Sequence, residues 1–311
     1  MNPNNVKKDS GSENPLRQLP AMHVLLDHPL TATLVRYFSM PQVRQALDRA
    51  LDLFRTGAGQ QKTSPSPEDV IRKAAWLIDE VESERLRPVI NATGIILHTG
   101  LGRAVLPTAA VRALGKMDRC SNLQIDLKTG QRGKRNFTTE SLLCLITGAE
   151  AAMIVNNNAA ATFLILSALC SGRDVIISRG QLIEIGGSYR LPDCIRQSGA
   201  NMVEVGTTNK THLKDYSEAL SDNTAAILRC NPSNYRIVGF TKEVPTAELA
   251  TLKKDHPFIL IDDLGCGALV NLEQFGLPAE PTIQESLQAG ADLVCASGDK
   301  LIGGPQSGII L

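Results

Sequence analysis

From Pro88 to Leu311, short apolar runs alternate with helix-patterned segments, and this rhythm constrains the fold more than any other feature of the sequence. The runs fall at Ala151 to Val155, Asp174 to Ile177, Met202 to Val205, Ala225 to Leu228, Phe258 to Ile261, Ala291 to Cys295 and Gly308 to Leu311. They are too short for helices and mainly apolar, which is the pattern of strands buried on both faces. Helical segments near Ala159 to Leu169, Asp193 to Gln197, Leu213 to Ser221, Thr246 to Lys253 and Ile283 to Gln288 separate them. Such alternation predicts an α/β domain with a mainly parallel sheet covered by helices. Sheets of that kind take ligands at the carboxyl ends of their strands, so the loops there are the places to look for chemistry.

The first part of the chain has a different rhythm. Residues 1–20 are predicted to form a flexible tail, and 21–86 a small helical domain. Pro41 suits a first helical turn, and Val43, Leu47, Ala50, Leu51 and Phe54 make an apolar stripe over Gln42 to Arg55. Gly57 to Pro67 reads as a linker. Ser66, Pro67 and Asp69 then signal the start of a helix running to about Leu86, with Val70, Ile71, Ala74, Leu77, Ile78 and Val81 on its apolar face.

Charge and composition remove several classes of function. With 32 Lys and Arg against 32 Asp and Glu, and 43% hydrophobic residues, overall disorder is excluded, as is a broad cationic surface for nucleic acid. Aromatic residues make up 4%, too few for base-stacking platforms to be the main business. The seven cysteines include no Cys-x-x-Cys pair, which fits reduced, mostly structural thiols. No apolar stretch resembles a signal peptide or a membrane span, so a cytoplasmic location is expected.

Three loops carry candidate chemistry. Asn156-Asn157-Asn158-Ala159-Ala160 leads from a strand into a helix, and backbone N–H groups at Asn158, Ala159 and Ala160 suit a phosphate. The competing reading is a helix whose Asn158 caps its own first turn. Asp262 and Asp263 follow the strand Phe258 to Ile261 and precede Leu264-Gly265-Cys266-Gly267. An acid there needs a positive partner, such as a protonated heterocyclic nitrogen, unless it is simply solvated in a turn. Adjacent strand residues point to opposite faces, so the pair is ill placed to share a metal ion. Ser297-Gly298-Asp299-Lys300 precedes Leu301-Ile302-Gly303-Gly304, where a lysine can form a Schiff base and glycines leave room for a flat ring. Phosphate cradle, acid and lysine, in that chain order, match aspartate-aminotransferase-like enzymes that use pyridoxal phosphate.

At these residues the sequence resembles the bacterial selenocysteine synthase family, L-seryl-tRNA(Sec) selenium transferase. Further blocks extend the resemblance from about Arg87 to Leu311: Val89-Ile90-Asn91-Ala92-Thr93-Gly94, Leu97-His98-Thr99, Leu101-Gly102-Arg103, Gly130-Gln131-Arg132-Gly133, Glu184-Ile185-Gly186-Gly187 and Ser233-Asn234-Tyr235. The resemblance implies an aspartate-aminotransferase-like, fold-type-I large domain over 87–311, preceded by a tRNA-engaging helical domain. It implies conversion of seryl-tRNA(Sec) to selenocysteinyl-tRNA(Sec) with selenophosphate, through a pyridoxal-phosphate aldimine and a dehydroalanyl intermediate. Lys300 would hold the cofactor and remove the α-proton, Asp263 would pair with the ring nitrogen, and Asn158, Ala159 and Ala160 would bind the phosphate. Arg103 is the first candidate for gripping selenophosphate. Arg132 and Arg135 are second, and equally suit tRNA, another subunit or solvent. His98 suits either the pocket or the core.

The resemblance also implies a homo-oligomer, a dimer-based ring. Gly100, Cys266 and Cys230-Asn231-Pro232 depart from the family pattern, where Asn, Ser and a His-Thr pair are more usual. A C-terminal domain that follows the lysine loop in the family is expected to be absent here, whether the chain is a fragment or a truncated product. The rival readings are a related lyase acting on a small amino acid or amino sugar, and a silent remnant that binds tRNA or a partner.

Overall fold

A computed structural model describes residues 19–57, 64–187 and 189–311, and the chain divides into two units, Met1–Ile90 and Asn91–Leu311. Most of the expected tail, and residues 58–63 of the expected linker, lie outside the described residues.

The first unit is helical: α1 (Met22–Leu26), α2 (Pro29–Val35), α3 (Met40–Gly57) and α4 (Pro67–Ser83). The Ser66 hydroxyl accepts the Asp69 N–H, and the Asp69 carboxylate accepts the Ser66 N–H, closing a capping box in front of Pro67. Val43, Leu47, Ala50 and Leu51 of α3 are buried against Val70, Ile71 and Ala74 of α4, as the helical stripes predict. Helix α4 stops at Ser83 rather than near Leu86, whose side chain is fully exposed.

The second unit begins with α5 (Thr108–Leu114) and α6 (Phe137–Thr147). It continues through β1 (Met153–Val155), α7 (Asn158–Leu169), β2 (Asp174–Ser178), β3 (Glu184–Ile185), β4 (Tyr189–Arg190), α8 (Leu191–Gln197) and β5 (Asn201–Val205). Then come α9 (Leu213–Ala219), β6 (Thr224–Cys230), α10 (Thr246–Thr251), β7 (Ile259–Gly265), α11 (Ile283–Gln288), β8 (Leu293–Ser297) and β9 (Gly308–Ile310). Seven strands form one sheet in the order β1-β9-β8-β7-β6-β2-β5. Every pairing among β5, β2, β6, β7 and β8 is parallel, whereas β9 runs antiparallel to both β8 and β1.

Strand periodicity sends alternate residues to the two faces. Val175 and Ile177 pack beneath α7 and α8, where Ile165, Leu166, Leu191 and Ile195 are buried. Ile176 packs on the opposite face with Tyr216 of α9 and Leu249 of α10. Each such fully buried side chain contributes about 1.5–3 kcal/mol relative to exposure, which explains why the strands read as continuous apolar runs. All seven predicted strands are present, and the sheet is mainly parallel and covered on both faces. Four strands run further than the apolar pattern shows: β2 to Ser178, β6 to Cys230, β7 to Gly265 and β8 to Ser297. Polar residues at their carboxyl ends hid the extensions. The β3–β4 hairpin, turning at Gly186 and Gly187 with φ +46° and +63°, and the helices α5 and α6 were not foreseen.

Candidate active site

The extension of β7 puts Asp262 and Asp263 inside the strand, both buried, not in a turn after it. They face opposite sides, as expected of neighbours in a strand. Asp262 accepts from the Arg229 guanidinium at 2.8 Å, the Thr246 hydroxyl and the Ser286 hydroxyl. Asp263 accepts from Asn158 Nδ2 at 2.7 Å, the Thr162 hydroxyl at 3.2 Å and the Gly265 N–H at 3.1 Å. All three donors are neutral, and Asp263 makes no ion pair among the described residues. Burial pushes its carboxyl above the ordinary value, against the pull of these donors and the nearby Lys300 charge.

Asp263 forms part of a cleft of about 240 Å³, which Lys300, Asn158, Ala159, Arg103 and Ser233 also line. Lys300 lies early in the loop between β8 and β9, and its ammonium forms no ion pair or hydrogen bond among the described residues. Gly265 brings β7 close to this loop: it has φ +66°, and a Cβ there would lie 2.8 Å from Ser233 Oγ and 4.0 Å from Lys300 Nζ. The cleft thus holds a buried acid and an unpaired amine, two charges that a cationic ring and an electrophilic carbonyl would complement.

The Asn-rich loop behaves partly as expected. The cap of α7 is Asn157, not Asn158: Asn157 Oδ1 accepts the Ala160 N–H at 2.8 Å. Ala160 is therefore already engaged and does not line the cleft. Asn158 and Ala159 do line it, and their N–H groups lie in the first turn, where a helix offers no internal acceptor. The Asn158 side chain turns to Asp263, leaving its own Oδ1 buried without a partner.

Arg103 also reaches the cleft, but it arrives paired. Its guanidinium donates to Asp299 Oδ2 at 2.9 Å, and the Ala104 N–H donates to the Asp299 carbonyl. Its φ of +60° is the one positive value among described non-glycine residues, a strained conformation of the kind that gathers at ligand-handling sites. His98 does not line the cleft; its ring lies against Gly100, where a Cβ would come within 3.2 Å of it. Arg132 and Arg135 are exposed and outside the cleft, Arg132 opposite Ile125 in a tight turn.

Several lining residues were not among the sequence's candidates for chemistry, although Cys230 and Asn231 stood out as departures from the family pattern. Tyr189 comes from the unforeseen hairpin, and its hydroxyl is buried beside the Cys194 thiol. Cys230 and Asn231 follow directly from the longer β6, and Asp299 is visible only as the neighbour of Lys300. Burial pushes the Cys230 and Cys266 thiols up, which suits inert thiols rather than nucleophiles.

Comparison with known proteins gives a consistent picture. Residues 89–311 match the family described as "SelA: L-seryl-tRNA selenium transferase". Over 304 residues the chain is 50% identical to the L-seryl-tRNA(Sec) selenium transferase of Moorella thermoacetica, covering 96% of this chain and 64% of the relative. It is 45% identical over 301 residues to the Desulfotalea psychrophila enzyme of the same name, again 96% and 64%. Among solved structures, D-glucosaminate-6-phosphate ammonia-lyase shares the fold, with a TM-score of 0.55 and 21% identity over 75% of this chain and 59% of the other.

Proposed function

The chain belongs to the L-seryl-tRNA selenium transferase family, and from that premise we propose that it converts L-seryl-tRNA(Sec) to L-selenocysteinyl-tRNA(Sec), with selenophosphate as donor and pyridoxal 5'-phosphate as cofactor. It spans 64% of the length of the curated relatives it matches. The observation that carries the reading is the pairing of opposites within one cleft: a buried Asp263 held only by neutral donors, and a Lys300 ammonium without a partner.

The residues present fit pyridoxal phosphate. Lys300 would hold it through Nζ, Asp263 would face its ring nitrogen, and the first-turn N–H groups of Asn158 and Ala159 would take its phosphate. When bound, the cofactor supplies a sink for the electron pair left at the seryl Cα. With the cofactor in place, Lys300 Nζ would take the proton from that carbon. Three neutral hydrogen bonds keep the Asp263 carboxylate aimed at one place. Arg103, oriented by its pair with Asp299, would bind the selenophosphate anion beside the seryl Cβ, where the hydroxyl leaves as water, selenium takes its place and hydrolysis of the Se–P bond releases phosphate.

The helical unit is assigned to tRNA, and the protein, handling an aminoacyl-tRNA, is placed in the cytoplasm. Among the described residues no helix is long and apolar enough to cross a membrane. Within the second unit Ile96, Val105 and Leu145 are exposed, at 72%, 89% and 79%, and assembly into a homo-oligomer would cover such side chains. The test begins with the purified protein. It is expected to show the visible absorption of bound pyridoxal phosphate, and Lys300→Ala is expected to abolish that band. With selenophosphate, the protein should then convert seryl-tRNA(Sec) and leave free L-serine untouched. Absence of the band removes the cofactor, and turnover of free serine without tRNA replaces this reading with a lyase.

A further inference from the structure

Glu280 lies outside the machinery described so far and is held in a defined place. Two residues later, Thr282 bridges Ala268 and caps α11, with Glu285 completing the capping box. The Ile283 N–H donates to the Ala268 carbonyl, so the segment carrying Glu280 is tied to the chain leaving β7. The Glu280 carboxylate is half-buried, makes no ion pair among the described residues, and accepts from Asn231 Nδ2 at 3.5 Å.

Asn231 in turn lines the cleft with Lys300, and its N–H donates to the Asp263 carbonyl at 2.8 Å, which fixes its backbone to β7. A carboxamide has one accepting and one donating end, and nothing intrinsic decides which faces a cleft. A carboxylate accepts only, so Glu280 selects the Nδ2 end and leaves Oδ1 as an acceptor that no described residue occupies. Burial pushes the Glu280 carboxyl up, while the Asn231 hydrogen bond and the Arg236 and Lys300 charges pull it back toward ionisation.

We propose that Glu280 is a positioning residue: it fixes the Asn231 carboxamide with Oδ1 toward the cleft, where that oxygen accepts a hydrogen bond from the β-hydroxyl of the seryl group and separates seryl from alanyl substrates. The inference rests on the seryl-tRNA reading above. A site built to accept a hydroxyl discriminates against a substrate that lacks one.

The test uses binding rather than turnover. Affinities of the full chain for the amide-linked 3'-seryl and 3'-alanyl adenosine analogues are measured by calorimetry. The wild type is expected to favour the seryl analogue. Glu280→Leu, which fills similar space without an acceptor, should cut that preference about fivefold, the scale of one hydrogen bond. Glu280→Gln, which keeps an oxygen at the same reach, should restore most of it. In an Asn231→Ala background, Glu280→Leu should change nothing further. A preference unchanged in Glu280→Leu overturns the proposal, as does a loss that persists without Asn231. Equal affinities in the wild type overturn the seryl reading itself, and this proposal with it.

Discussion

Asp262 and Asp263 are chemically identical neighbours with opposite fates, because a strand sends them to opposite faces. Asp262 neutralises the nearly buried Arg229, so Asp262→Ala should cost about 3–5 kcal/mol by leaving that charge unpaired. Urea unfolding measures this, and a cost below that of an ordinary surface substitution would break the argument. Asp263 makes no ion pair among the described residues, and burial raises its carboxyl against the pull of the Lys300 charge. A raised native value means that the folded state holds the proton more tightly than the unfolded state. The associated stability is therefore complete below the ordinary carboxylate range and declines as pH rises through the native value. Cofactor-free protein should accordingly become more stable as pH falls from neutrality toward that range. Asp263→Asn, which cannot ionise, should flatten the profile, and an unchanged slope in melting temperature against pH would show that Asp263 is not its source.

At the scale of elements, the cofactor end of the sheet depends on a short helix start and an antiparallel strand. The Asn157 side chain caps α7, and the Asn157 carbonyl lies where a Cβ on Gly308 of β9 would sit, 2.1 Å away. Glycine at 308 is thus a condition for β9 to pass the Asn-rich loop. Asn157→Ala should destabilise the protein by about 1 kcal/mol through the lost cap. It should also weaken retention of the pyridoxal phosphate band on dialysis, because α7 presents the first-turn donors to the cofactor. Loss of stability with no change in retention would make the cap purely structural.

The whole molecule is two units with separate cores. Leu25, Val43, Leu47, Val70 and Ile71 form the core of the first, and the sheet and its helices form the others. Leu47 is fully buried in the helical core, so Leu47→Ala should cost about 2–5 kcal/mol there. If that unit serves tRNA, the substitution should lower seryl-tRNA affinity and leave the cofactor band intact. Loss of the band with Leu47→Ala would mean that the cofactor site depends on the helical core.

By itself the sequence determined the architecture and the chemistry-bearing loops. Strands buried on both faces must read as apolar runs, and the glycines and the lysine after them stand out against that background. Val175, Ile176 and Ile177 announced a strand because both faces of the sheet are covered. Periodicity did not reveal the hairpin carrying Tyr189, which has only two residues in each strand, nor α6, whose apolar residues include the exposed Leu142 and Leu145. Tertiary structure alone decided which Asp meets Arg229 and which faces the cleft, that Asn157 rather than Asn158 caps α7, that Arg103 is held by Asp299, and that Glu280 reaches Asn231. These are contacts between residues far apart in the chain or choices between adjacent ones. Side-chain identity leaves both open until the packing of β7 against its neighbours fixes direction and distance.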